Sequence, residues 1–123
     1  MSVRGIRGAI VAECDEPTAI WIATRELLTA IQSANPGLST ADLASVWFSV
    51  TPDLQSAYPA AAARQMGWTN VPLMCVQEMD VPGSLARCIR ILLHWNTELP
   101  QEAVRHVFLG EAASLRPDLA RKI

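Results

Sequence analysis

The 123-residue sequence predicts an α+β fold, in which a mixed β-sheet carries one main helix on one face. A Val-, Ile- and Gly-rich segment at residues 3–12 is followed by a long helical repeat. Short apolar stretches typical of strands, separated by prolines and turns, then fill the rest of the chain. Half of the residues are hydrophobic and 18% are charged, which is enough apolar surface for one core. We therefore expect one domain over residues 1–123.

The first two elements have the clearest signals. A strand is predicted over residues 3–12. The Asp-Glu-Pro-Thr sequence at residues 15–18 starts the main helix, because proline suits a first helical turn, and Asn-Pro-Gly at residues 35–37 ends it. The helical spacing is carried by Ile20, Ala23, Thr24, Leu27 and Ile31.

The remaining elements are short. They are predicted as a helical turn at residues 39–42, a strand at 46–50, a helix at 59–66, a strand at 72–77, a turn at 82–83, a strand at 87–95, a helical turn at 100–103, a strand at 104–109 and a terminal turn or short helix at 115–119. The strand at 87–95 is the most apolar of these.

Charge and composition restrict the function. Ten basic against twelve acidic residues give a net charge of −2, which disfavours a nucleic-acid binder. Nine of the ten basic residues are arginines. This bias reflects either base composition or a need for planar cationic forks that bind carboxylate or phosphate. The high apolar content indicates surface that is buried against other copies of the chain.

The cysteines and the apolar segments indicate the compartment. Cys14, Cys75 and Cys88 are odd in number and scattered, so we expect free thiols in a reducing cytoplasm and no metal site. The first residues lack the uninterrupted apolar stretch of a signal peptide. No run of about 18 apolar residues is present, so we expect no membrane association.

Three charged residues stand where strands are normally apolar. Arg90 shares a strand face with Cys88 and Leu92, so it requires an anionic partner or a ligand, unless it forms an internal salt bridge or reaches solvent from an edge strand. Arg7 lies in the first strand beside glycines, which permit close approach of a ligand, but it can equally be a solvated edge charge. Glu78 ends a strand, where functional residues are frequent but solvated glutamates are common too.

The order of short motifs along the chain resembles the monofunctional, AroH-class chorismate mutases. The motifs are RGIRGA at residues 4–9, TPDL at 51–54, QEMDV at 77–81, CIR at 88–90, RHV at 105–107 and LRPDL at 115–119. Each is weak alone, but together they cover essentially the whole chain. The resemblance implies a pseudo-α/β-barrel homotrimer with active sites at subunit interfaces. It also implies conversion of chorismate to prephenate in the shikimate pathway to phenylalanine and tyrosine, without a cofactor.

The resemblance also implies a set of site residues. One subunit is expected to supply Arg7, Cys75, Glu78, Arg90 and Phe108. Its neighbour is expected to supply Tyr58, Ala60, Arg64, Leu73, Met74, Leu115 and Arg116. In this scheme Arg90 donates to the ether oxygen of chorismate, Arg7 binds a carboxylate, and Glu78 accepts from the ring hydroxyl. Arg64 or Arg116 adds positive charge across the interface.

Two departures from the family pattern leave alternatives open. Phe108 stands where the family often has tyrosine, and Ala61 stands where it often has lysine, so we expect weaker substrate binding with the activity retained. One alternative is a trimeric imine or enamine deaminase that uses an interface arginine. The other is a non-catalytic trimer that binds carboxylates.

Overall fold

The computed structural model describes residues 1–120 and has a five-stranded mixed sheet at its centre. The strands are β1 (Ser2–Val11), β2 (Leu43–Val50), β3 (Leu73–Gln77), β4 (Cys88–Thr97) and β5 (Val107–Phe108). The α-helices are α1 (Pro17–Ala34), α2 (Pro59–Gln65) and α3 (Pro117–Ala120). Single turns of 3₁₀-helix cover Thr40–Asp42, Gln101–Ala103 and Gly110–Ser114.

The strand order is β3-β2-β4-β1-β5, so β4 lies at the centre of the sheet. It pairs antiparallel with β1 on one side and with β2 on the other, while β3 and β5 add parallel strands at the two edges. Arg90 is therefore flanked by Ala9 on β1 and Ser49 on β2. A charged residue at this central position cannot reach solvent from a strand edge.

Helix α1 covers one face of the sheet and forms the main core with it. Alternate residues of β1 and β4 point towards the helix and are buried there, among them Ile6, Ile10, Ile89, Ile91 and Leu93. The helix contributes Ile20, Leu27, Leu28 and Ile31. Because side chains alternate along a strand, Arg7 and Arg90 point to the opposite face of the sheet.

Gly8 allows this packing to be tight. A Cβ at Gly8 would stand 3.0 Å from the carbonyl oxygen of Val107 and 3.1 Å from the Cδ1 of Ile31. The glycine after Arg7 thus lets β5 and α1 approach β1 closely. It fixes the strand on which Arg7 lies.

The predicted α+β class, with one main helix on one face of a mixed sheet, is confirmed. The last strand is shorter than predicted: only Val107–Phe108 of residues 104–109 pairs in the sheet. The reason is that side chains, instead of a neighbouring strand, form hydrogen bonds in the segment just before β5. Asn35 bonds both the N–H and the C=O of Arg105, and the Nδ1 of His106 accepts from the N–H of Arg7. The 3₁₀ turn at Gly110–Ser114 was not predicted.

No helix within residues 1–120 is long and apolar enough to cross a membrane.

Candidate active site

A cavity of about 230 Å³ opens on the sheet face away from α1. Its lining comes from four strands or strand ends and consists of Arg7, Trp47, Ser49, Glu78, Arg90, Ile91 and Leu92. Arg7, Glu78 and Arg90 thus lie together, as the resemblance implies. The additional lining residues, which the sequence did not predict as site residues, are Trp47, Ser49, Ile91 and Leu92.

Arg90 projects from the central strand into this cavity. Its Nε is buried and has no hydrogen-bond partner within residues 1–120. The nearest carboxylate oxygen, Oε2 of Glu78, lies 3.6 Å away, which is an ion pair but too long for a hydrogen bond. The two side chains are 23% and 27% exposed, so both are largely removed from water. Arg90 therefore keeps an unused, partly desolvated donor beside the cavity.

Glu78 is held by two neighbours at the end of β2. Its backbone N–H donates to the carbonyl of Val50 at 2.8 Å, which extends the β2–β3 pairing by one residue. Its Oε2 accepts a hydrogen bond from the hydroxyl of Ser49. Within residues 1–120, no hydrogen bond to the other carboxylate oxygen, Oε1, is present.

Arg7 supplies a second guanidinium to the cavity. Burial, and then the neighbouring charges of Arg90 and Arg116, lower the pKa of Arg7, which Glu78 partly opposes. An arginine stays protonated even so. Arg7 and Arg90 therefore place two positive charges beside the cavity against the one negative charge of Glu78, which favours an anionic ligand. The guanidinium carbon of Arg7 lies 6.0 Å from the ring centroid of Phe108.

Phe108 is only 5% exposed and packs in a small cluster with Ala9, Cys88 and Ala112. Leu115 packs against the same cluster. Arg116 forms a two-bond ion pair with the exposed Asp118, at 2.9 and 3.1 Å, which raises the pKa of Arg116.

The assignment of Leu115 and Arg116 to a neighbouring subunit stays a prediction. Within one chain the Gly110–Ser114 turn packs on β1, and it brings both residues to the side of the sheet where Arg7 lies.

The other expected site residues form a separate cavity of about 270 Å³ between α2 and β3. It is lined by Tyr58, Ala60, Arg64, Leu73 and Cys75. Cys75 belongs to this second cavity rather than to that of Arg90, because it aligns with Phe48 and so faces the core side of the sheet. Burial raises the pKa of the Cys75 thiol. Met74 aligns with Trp47 on the opposite face and is 52% exposed.

No cluster of three or more His, Cys, Asp or Glu in the described part of the chain could hold a metal ion. Its three cysteines are free thiols. The two histidines have structural contacts, since His94 shares a 2.9 Å hydrogen bond with the hydroxyl of Ser45 and His106 accepts from Arg7.

Known proteins resemble this chain over nearly its full length. Residues 3–119 match the family described as chorismate mutase type I. "Chorismate mutase AroH" of Thermus thermophilus is 59% identical over 117 residues, covering 95% of this chain and 96% of that protein. "Chorismate mutase AroH" of Bacillus subtilis strain 168 is 43% identical over 121 residues, covering 98% and 94%. A solved chorismate mutase from Clostridium thermocellum superposes with a TM-score of 0.86 at 44% identity, covering 89% of this chain and 97% of that one.

Proposed function

We propose that the cavity lined by Arg7, Glu78 and Arg90 is the active site of this chain. The chain belongs to the chorismate mutase type I family and converts chorismate to prephenate. The observation that carries the proposal is the buried Nε–H of Arg90, a residue that lines the cavity; this donor has no acceptor within residues 1–120. Family membership favours the isomerase over the deaminase and non-catalytic alternatives.

The chemistry explains why a cavity of this kind is sufficient. Chorismate is a small dicarboxylate with an enol ether and a ring hydroxyl. In its rearrangement one C–O bond breaks while one C–C bond forms within the same molecule, so the reaction requires no nucleophile and no proton transfer. The protein must hold the folded conformer and stabilise negative charge on the ether oxygen as the C–O bond lengthens.

Each charged residue has a role that follows from its position. Arg90 donates from its Nε–H and terminal nitrogens to the ether oxygen and to a carboxylate, because its planar fork offers donors in two directions. Arg7 binds a carboxylate from the adjacent strand β1. Glu78 accepts from the ring hydroxyl through the carboxylate oxygen that Ser49 leaves available.

The magnitudes require these groups to act together. A rate gain of about 10⁶ corresponds to roughly 8 kcal/mol of transition-state stabilisation. One preorganised donor supplies about 3–4 kcal/mol in a site that excludes water. Arg90 alone is therefore insufficient, and the conformer held by Arg7 and Glu78 must contribute the remainder.

We further propose that the complete site forms between two subunits of a homotrimer. Two observations support this. The cavity of Arg90 and the cavity of Arg64 share no residue, although the family's site residues fall in both. The open face of the sheet also exposes large apolar side chains, with Trp47 at 42% and Met74 at 52%, which another subunit would cover.

A mixing experiment tests the shared site. Arg90→Ala and Arg64→Ala are each expected to lose most of their activity when assembled alone. Co-expressed in equal amounts, they should regain about one quarter of wild-type activity, because random assembly leaves about one site in four with both arginines intact. Chorismate consumption is followed by absorbance, and the product is converted to phenylpyruvate by acid. Mixed oligomers without any regained activity would refute the shared site.

The proposal also covers the cellular compartment and the domain organisation of the enzyme. We infer that it works in the cytoplasm, where its free cysteines remain reduced, and that residues 1–123 act as one domain.

A further inference from the structure

We infer that Ser49 is a positioning residue for the reaction: its hydroxyl holds Glu78 and so keeps the Nε–H of Arg90 free for the substrate. Ser49 lies on β2 directly across from Arg90 and lines the same cavity. Its hydroxyl donates to Oε2 of Glu78, the same oxygen that lies 3.6 Å from the Nε of Arg90. This inference rests on the proposed roles of Glu78 and Arg90.

Ser49 and Arg90 are alternative donors to one oxygen atom, Oε2 of Glu78. A carboxylate beside a guanidinium normally forms a short, charge-assisted hydrogen bond of about 2.7–2.9 Å. Here the contact is 3.6 Å, so a shift of less than one ångström would close it. Ser49 supplies a different donor to that oxygen. The carboxylate is thus bonded while the Nε of Arg90 remains without a hydrogen-bond acceptor among the described residues.

The surrounding backbone fixes the positions from which the side chains of Ser49, Glu78 and Arg90 extend. The N–H of Glu78 is fixed to the carbonyl of Val50, the residue after Ser49, so both side chains start from the same end of the paired strands β2 and β3. The β2–β4 pairing fixes Arg90 relative to Ser49. The side chain of Glu78 can still turn about its own bonds, and its hydrogen bond with the hydroxyl of Ser49 restrains that motion.

Loss of the hydroxyl should therefore impair both charged groups at once. Glu78 would turn to the Nε–H of Arg90, which removes that donor from the ether oxygen and also moves the carboxylate away from the ring hydroxyl. Since the bond to the ether oxygen strengthens only as charge develops there, the loss should fall mainly on kcat.

The test compares Ser49→Ala with Ser49→Thr and with a matched control. Ser49→Ala should lower kcat/KM about 10- to 100-fold, mostly in kcat, as expected when a hydrogen bond to a charged group is lost. Ser49→Thr retains the hydroxyl and suits a strand, so it should restore kcat to within about threefold of wild type. Ser45→Ala removes a hydroxyl from the same face of β2, where its partner is His94, and should leave both constants unchanged.

A double variant separates positioning from packing. If Ser49 acts through Glu78, adding Ser49→Ala to Glu78→Ala should change kcat by less than about twofold, because contacting residues that act as a unit are not additive. An equal loss with or without Glu78 would overturn the inference, as would normal kinetics of a folded Ser49→Ala enzyme. Normal kinetics of Ser49→Ala beside an impaired Glu78→Ala would refute this inference alone. An unimpaired Glu78→Ala would refute the proposed site as well.

Discussion

Replacing Arg90 by lysine keeps the positive charge of the cavity and removes the planar fork. In the structure the Nε–H of Arg90 is buried and unbonded within residues 1–120, and Glu78 lies 3.6 Å away. A lysine has a methylene group instead of a donor at the Nε position, and its single ammonium cannot point at the ether oxygen and at a carboxylate together. The substitution therefore removes one preorganised donor while the net charge stays the same.

The expected loss is about 10²–10³ in kcat, or roughly 2.7–4 kcal/mol, which is the cost of deleting one oxyanion-type donor. A loss of this size in kcat is expected because the side chain of Arg90 is only 23% exposed, so water cannot readily replace the missing hydrogen bond. The free energy of unfolding should change little, since lysine retains the charge that faces Glu78.

Chorismate consumption over a range of concentrations gives kcat and KM, and circular dichroism verifies folding. Arg4→Lys is the matched control, because Arg4 also donates from its Nε, to the carbonyl of Leu99 at 2.9 Å, but lies outside the cavity. It should keep wild-type kinetics. A folded Arg90→Lys enzyme with near-native kcat would show that Arg90 acts only as a charge, and the proposed role of its fork would be wrong.

Three further substitutions test the surroundings of the site. Phe108→Tyr should lower KM modestly, because the ring lies 6.0 Å from the guanidinium carbon of Arg7, the proposed carboxylate-binding residue, and the hydroxyl adds a donor there. A lower melting temperature with unchanged KM would contradict this. Gly8→Ala should lower the free energy of unfolding in urea by about 1–3 kcal/mol, since its Cβ meets the carbonyl of Val107 at 3.0 Å; an unchanged midpoint would refute this close contact. Thr51→Val removes the hydroxyl oxygen that accepts from the N–H of Cys88 at 2.9 Å. The free energy of unfolding in the same assay should fall by about 1–3 kcal/mol, and wild-type stability would contradict this.

The sequence predicted the fold well wherever a local pattern is sufficient. Helix α1 begins at Pro17 and ends at Ala34, as its proline start and Asn-Pro-Gly stop indicate. The last strand was predicted too long, because Asn35 and His106 bond the backbone near it, and contacts of that kind join residues that are distant in sequence. The alternation of residues along one strand does not reveal that a distant side chain, rather than a neighbouring strand, bonds the backbone.

The site residues also differ in whether a local sequence pattern can identify them. Arg90 was recognisable from the sequence because a cation in an apolar strand conflicts with its neighbours, and that conflict is local. Ser49 produces no such conflict, since a serine on the open face of a strand is ordinary. Its proposed role emerges only when the strand order places β2 between β3 and β4, so that Ser49 bonds Glu78 on one side and lies opposite Arg90 on the other. Residues that conflict with their own element can therefore be found by pattern, whereas residues that act by bridging two elements require the register between strands.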